Sequence, residues 1–115
     1  MKASAPRRLS AATLVVLSAA AGPALAAASG ETVFQSACIA CHGVDGAGAL
    51  PGVPDLTAAD SPLGQPDTVL LKRTIEGIQQ AGSTMAMPPR AGNPDLSDEE
   101  LIAAIRFMRE RFGKR

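Results

Sequence analysis

Three kinds of side chain in this chain can do redox or metal chemistry: two cysteines, one histidine and a pair of methionines in a loop. The cysteines are Cys38 and Cys41, and the next residue is His42, giving Cys38-Ile39-Ala40-Cys41-His42. A Cys-x-x-Cys pair can be a structural disulfide, a dithiol redox site or the anchor of a covalent haem, and an immediately following histidine selects the last. Cysteines at i and i+3 lie on one side of a helical turn, so both sulfurs can reach the two vinyl groups along one porphyrin edge. The histidine then passes beneath the ring to ligate iron. A disulfide closing so short a loop would constrain the unfolded chain little. A dithiol site of the thioredoxin kind needs strand runs that are not seen here. With one histidine in the chain, neither a bis-histidine centre nor a four-ligand Cys/His zinc cage can form.

The sixth iron position must come from methionine or stay open. Met108 falls in an apolar helical stripe and reads as core filler. Met85 and Met87 lie in Gly82-Ser83-Thr84-Met85-Ala86-Met87-Pro88-Pro89-Arg90, where two prolines stiffen the backbone in an extended form. Met87, adjacent to the prolines, is the better held of the two. Met85 is left to pack against the haem edge or to serve as the alternative ligand. A Met/His pair marks electron-transfer centres and raises the reduction potential.

The amino terminus reads as an address. Lys2, Arg7 and Arg8 precede an uncharged stretch from Leu9 to Ala21, followed by Gly22-Pro23 and Ala24-Leu25-Ala26. A basic start, a short apolar run and a small-x-small site make a secretory signal peptide over residues 1–26. Cleavage is expected after Ala26, with Ala28 the alternative, leaving residues 27–115 as one domain in the periplasm. An uncleaved membrane anchor is the competing reading, opposed by the Ala-rich composition and the Gly22-Pro23 break. The whole chain has 115 residues with eleven basic and eleven acidic side chains. Losing Lys2, Arg7 and Arg8 leaves eight basic against eleven acidic, a mildly acidic protein and not a nucleic-acid binder. No membrane span is expected in the mature protein.

Three phenylalanines and no tyrosine or tryptophan leave little material for a self-sufficient core, so help from a cofactor, a metal or a cross-link is expected. The elements that hold the chemistry follow from periodicity. Glu31 to Cys41 reads as a first helix with Val33, Phe34, Ala37 and Cys41 on one face, ended by Gly43. A long Gly- and Pro-rich loop runs to Gly64. Pro66 to Gln79 reads as a second helix whose buried face includes Val69, Leu70, Arg73, Thr74 and Gly77, and Lys72-Arg73 as a small basic spot. In the last helix Ser97 and Glu100 form a capping box, Leu96 staples onto Leu101, and Leu101, Ala104, Ile105, Met108 and Phe112 make one stripe. Asp98-Glu99-Glu100 sit at its start, where the helix dipole favours them, which accounts for that acidic cluster.

With these residues in view, the chain resembles a class I cytochrome c, particularly the short bacterial monohaem type, from about Gly30 to Phe112. Gly30, Phe34 and Cys38 are spaced as in that family's N-terminal helix, Cys38 to Gly43 match its haem segment, and Met87-Pro88-Pro89-Arg90 resembles its distal loop. The resemblance implies an all-α fold of about three main helices and long loops wrapped around one covalent haem c. It also implies that Gly30 and Phe34 meet the last helix, where Phe107 supplies an aromatic ring. It further implies that the Pro54 carbonyl, in Pro54-Asp55-Leu56, accepts the Nδ1 hydrogen of His42, fixing the tautomer. The tryptophan that bonds a haem propionate in mitochondrial members has no counterpart here. The function implied is one-electron transfer with His42 and Met87 as axial ligands and no catalysis on a substrate. Partners would be periplasmic redox proteins that dock transiently, or the rest of a dehydrogenase or sulfur-oxidising complex in which this chain is a subunit. A peroxidase or gas-reacting haem protein would need an open sixth position and a distal acid or base.

Overall fold

In the computed structural model, residues 21–22 and 25–114 are described, so the leader read over residues 1–26 lies almost wholly outside them. Ser29 opens the first helix by accepting a hydrogen bond from the Thr32 amide through its hydroxyl. The helix then changes winding twice: Gly30–Val33 is α-helical, Phe34–Cys38 is a π-helical turn, and Ile39–His42 returns to α. We call the three pieces together α1. The expected helix is present, but the π turn is not visible as periodicity, because one wide turn leaves the apolar spacing nearly intact. Gly43, with φ at 81°, ends it.

The loop that follows folds back on the end of α1. The Gly48 amide donates to the His42 carbonyl at 2.9 Å and the Ala49 amide to the Cys41 carbonyl at 2.8 Å, so orphaned carbonyls of the last turn are met by loop backbone. A short 3-10 turn at Pro62–Gly64 leads to α2, Asp67–Glu76. Pro66 stands at the cap position of α2 and not inside its first turn, and the helix stops three residues earlier than its sequence pattern indicates. Gly77, at φ 83°, breaks it, and Ile78–Gln79 becomes a strand, β1. β1 pairs antiparallel with β2, Ala86–Met87, in the register Ile78 to Met87 and Gln79 to Ala86. Val69 is 39% exposed, so the buried face of α2 is carried by Leu70, with Leu71 and Ile75 packed at its margin.

After β2 the chain makes a turn at Pro89–Gly92 in which Arg90 and Ala91 have φ of 52° and 53° and Gly92 has 78°. Left-handed backbone costs a non-glycine residue about 1–2 kcal/mol, so something must hold Arg90 and Ala91 there. The last helix, α3, is Asp98–Phe112, and both halves of its capping box are formed: the Glu100 amide donates to Ser97 Oγ at 3.1 Å and the Ser97 amide to Glu100 Oε2 at 3.0 Å. Leu101, Ala104, Ile105 and Phe112 of its stripe are buried and Met108 is partly so.

α1 crosses α3 at Gly30. A Cβ there would lie 2.1 Å from the Ala103 carbonyl oxygen, so only glycine permits this approach. Phe34 then packs between Phe107 and Phe112, with ring centroids 5.5 Å from each. α2 is fastened to α3 by charge: Arg106 Nε donates to Asp67 Oδ2 at 3.0 Å, Arg109 also donates to Asp67, and Arg109 Nη2 reaches the Gln65 carbonyl at 2.7 Å. These hydrogen bonds from Arg109 and Arg106 hold the Asp67 carboxyl below the usual carboxylate range. Among the described residues the architecture is three main helices with a two-strand ribbon, the all-α form expected from the sequence apart from that ribbon.

Candidate functional site

One cavity gathers most of the chemically competent side chains. Its walls include Cys38, Cys41 and His42 from α1, Val53, Pro54 and Leu56 from the long loop, and Leu70, Arg73 and Thr74 from α2. Met85, Met87 and Pro88 come from the β2 loop, and Ile105 and Met108 from α3. It encloses about 1060 Å³, including its open mouth. Every residue singled out from the sequence as a ligand, attachment point or packing partner lies on this one wall set. The motif residues are 43 or more positions away from Met85 and Met87 in the chain, so their convergence is a tertiary result.

α1 presents the motif through its winding. Cys38 ends the π turn, is buried, and its thiol lies 4.0 Å from the Val33 carbonyl five residues back, while Cys41 is half-buried one turn further on. Both thiols are free. Burial, with a smaller contribution from Cys41, pushes the Cys38 thiol up to about 11, so it is held protonated at neutral pH. His42 closes the last α turn, and burial lowers its pKa, favouring the neutral imidazole that a metal requires. Among the described residues, His42 Nδ1 is the one buried side-chain nitrogen or oxygen without a hydrogen-bond partner. Pro54 lies on the cavity wall, but its carbonyl makes no hydrogen bond to that nitrogen in this conformation. Such an orphaned donor is costly, and a histidine that ligates metal through its other nitrogen usually gives the remaining hydrogen to a carbonyl.

The two methionines are held differently. Met87 is half-buried and locked by pairing with Ile78, and its carbonyl passes so close to Gly77 that a Cβ there would sit 3.0 Å from it. Met85 is 36% exposed, and its backbone is bonded to the Ser83 hydroxyl at 2.9 and 3.2 Å, over the Gly52 turn. Met108, read as core filler, packs against the main apolar cluster and also reaches the cavity wall.

The cavity is otherwise apolar. Among the described residues its wall carries no aspartate or glutamate and a single permanently charged side chain, Arg73. The sequence pattern puts Arg73 both on the buried face of the second helix and, with Lys72, in a small basic spot. The structure separates them: Lys72 ion-pairs with Glu76 out in solvent, whereas Arg73 turns in, its Nη1 3.4 Å from Gln65 Oε1. The first of those two readings holds for Arg73, which shares its helical face with Leu70 and Thr74 on the cavity wall. No group of three or more His, Cys, Asp or Glu side chains that could cage a metal ion exists among the described residues. A metal here would be held through a flat organic ligand. The donor set fits one: two thiols for its edge, a neutral imidazole, thioether sulfur from a separate loop, and apolar walls.

The profile of the family described as cytochrome c oxidase, cbb3-type, subunit III, matches residues 25–108. Cytochrome c-555 of Prosthecochloris aestuarii is 31% identical over 86 residues, covering 70% of this chain and 83% of the relative. Cytochrome c-554(548) of Halomonas halodenitrificans is 38% identical over 89 residues, covering 73% and 96%. Lupanine 17-hydroxylase [cytochrome c] of a Pseudomonas species is 35% identical over 86 residues, 74% of this chain but 11% of that protein.

Proposed function

This chain belongs to the cytochrome c family, and from that premise we propose that it is exported to the periplasm and shuttles electrons there, with His42 and Met87 as its axial ligands. It is a small monohaem electron-transfer protein with covalently bound haem c. The observation that carries the finer reading is the convergence of Cys38, Cys41, His42 and Met87 on one apolar cavity.

When bound, the haem supplies an iron that cycles between Fe(II) and Fe(III). Cys38 and Cys41 would hold it by thioether links along one edge. His42 would bind from one side through Nε2, as a neutral imidazole kept so by burial, and the Pro54 carbonyl, on the same wall, is the proposed acceptor for its Nδ1 hydrogen. Met87 would bind from the other side. Its loop is fixed by two prolines and by pairing with Ile78, which suits a ligand that must not move between oxidation states. Leu56, Leu70 and Ile105 would cover the ring with apolar side chains, and such a low-dielectric surround favours the reduced form. Arg73 would face the ring's carboxylates. Met85, at the mouth, would pack against the exposed edge.

The signal peptide over residues 1–26, with cleavage after Ala26, belongs to this reading, as do soluble redox partners. Among the described residues no helix is long and apolar enough to cross a membrane. The likeness to a cytochrome module within a much larger hydroxylase supports a second reading, in which the chain serves as the electron-accepting part of an assembled redox enzyme. Co-purification of the native protein with a dehydrogenase would favour that reading; recovery as a free monohaem protein would favour the shuttle.

An optical spectrum with carbon monoxide tests the ligation. The reduced protein is expected to show sharp low-spin bands and to resist carbon monoxide, and the oxidised protein to show the weak near-infrared band of thioether-bound Fe(III). Rapid carbon monoxide binding would mean an open sixth position and would move the assignment to a gas-reacting or enzymatic haem protein.

A further inference from the structure

The turn that follows Met87 is strained and tied to a distant element by one side chain. Arg90, Ala91 and Gly92 are three consecutive residues with φ of 52°, 53° and 78°, and the first two have a Cβ that disfavours this region. Arg90 spans the gap from this turn to the start of α3: Nη1 donates to the Leu96 carbonyl at 2.8 Å and Nη2 to Asp98 Oδ1 at 2.7 Å. The Arg90 side chain is 28% exposed, so it is partly shielded from water. Its acceptors are anchored in the fold, because Leu96 is buried in the second apolar cluster and Asp98 stands on the first turn of α3. Between Arg90 and Met87 stand only Pro88 and Pro89, whose rings restrict φ. The Met87 side of the loop is held by Ile78 and the close pass over Gly77. The methionine is therefore clamped from both ends, and Arg90 is the clamp on the α3 side.

We propose that Arg90 is the positioning residue for the sixth ligand: its two-pronged grip on Leu96 and Asp98 keeps the left-handed turn closed and so holds the Met87 sulfur at the metal. The inference rests on the reading that Met87 ligates iron. A single ammonium cannot reproduce a planar fork with two separated acceptors, so lysine should hold the turn only in part. Glycine adopts the left-handed turn without strain, so Arg90→Gly removes the grip while leaving the turn's shape accessible.

The experiment uses the holoprotein and three variants: R90G, R90K and S97A. The last weakens the start of α3 through its cap while keeping both acceptors of the fork, the Leu96 carbonyl and the Asp98 carboxylate. The readouts are the carbon monoxide binding rate of the reduced form, the near-infrared band of the oxidised form, and the urea midpoint. Expected are a carbon monoxide rate raised about tenfold or more and a weakened band in R90G, as follows from losing a charge-assisted pair that holds the closed state. R90K should be intermediate. S97A should lower the urea midpoint while leaving rate and band as in the unmodified protein. An R90G protein with unaltered rate and band would overturn the proposal, and so would an S97A protein that opens as far as R90G, since general loosening of α3 would then suffice. A failure of the underlying ligation reading looks different: the unmodified protein itself would lack the band or bind carbon monoxide rapidly.

Discussion

Met85 and Met87 are the same residue type two positions apart, both reach the cavity, and an extended strand turns residues i and i+2 to the same side. Their difference is what holds the backbone. Met87 sits in the ribbon register opposite Ile78 and ahead of two prolines; Met85 precedes the ribbon, exposed, on a turn secured by the Ser83 hydroxyl. Met87→Ala is expected to abolish the near-infrared band of the oxidised protein and to admit carbon monoxide, whereas Met85→Ala keeps the band; the reverse pair of spectra would reassign the ligand. The proline signal that favours Met87 is legible in the sequence, because a proline restricts its neighbour through local sterics. So is the side of α2 on which Arg73 lies, since it shares a helical face with Leu70 and Thr74 while Lys72 points about 100° away; that this face lines the cavity is not. His42 shows both sides of this divide: its place after Cys41 announces its role, but its unpartnered Nδ1 appears only once the loop carrying Pro54 is placed.

At the level of elements, α1 and α3 are the frame. The crossing at Gly30 sets how α1 lies on α3, and α1 carries Cys38, Cys41 and His42. Gly30→Ala must push the Ala103 backbone away or tilt α1, and an overpacked contact of this kind costs about 1–3 kcal/mol. The measurement is the urea midpoint of the holoprotein, which should fall with no change in the slope; an unchanged midpoint would mean that the crossing is looser than the geometry indicates. α3 is legible from sequence almost residue by residue, since capping box, staple and apolar stripe are all interactions within a few residues. α2 is less so: its pattern runs on to Gln79, but Gly77 needs a positive φ and the chain leaves the helix to pair with Met87, a partner that lies nine residues beyond Ile78. The π turn in α1 is likewise unannounced, because its cost is met by the packing of Val33, Phe34 and Cys38 against other elements.

For the whole molecule the decisive quantity is how little apolar material surrounds the cavity. Two small clusters, one around Phe34, Leu70 and Ile105 and one around Val33, Leu96 and Leu101, are all that the described residues bury. The cluster nearer the motif borders the cavity with no second apolar layer to fill it, so the bound haem is part of the core. The chain with Cys38→Ser and Cys41→Ser is therefore expected to lose most of its helical circular dichroism and its cooperative melt at room temperature; a cooperative, helical apoprotein would show that the polypeptide core suffices. From the sequence alone come the Cys-x-x-Cys-His motif, the all-helical class and the frame of α3, because each rests on contacts within one or two helical turns. Only the tertiary structure decides that the motif and the methionine loop line one cavity and that Asp67 fastens α2 to Arg106 and Arg109, because those depend on groups brought together by chain segments far apart in sequence, whose relative placement no local pattern encodes.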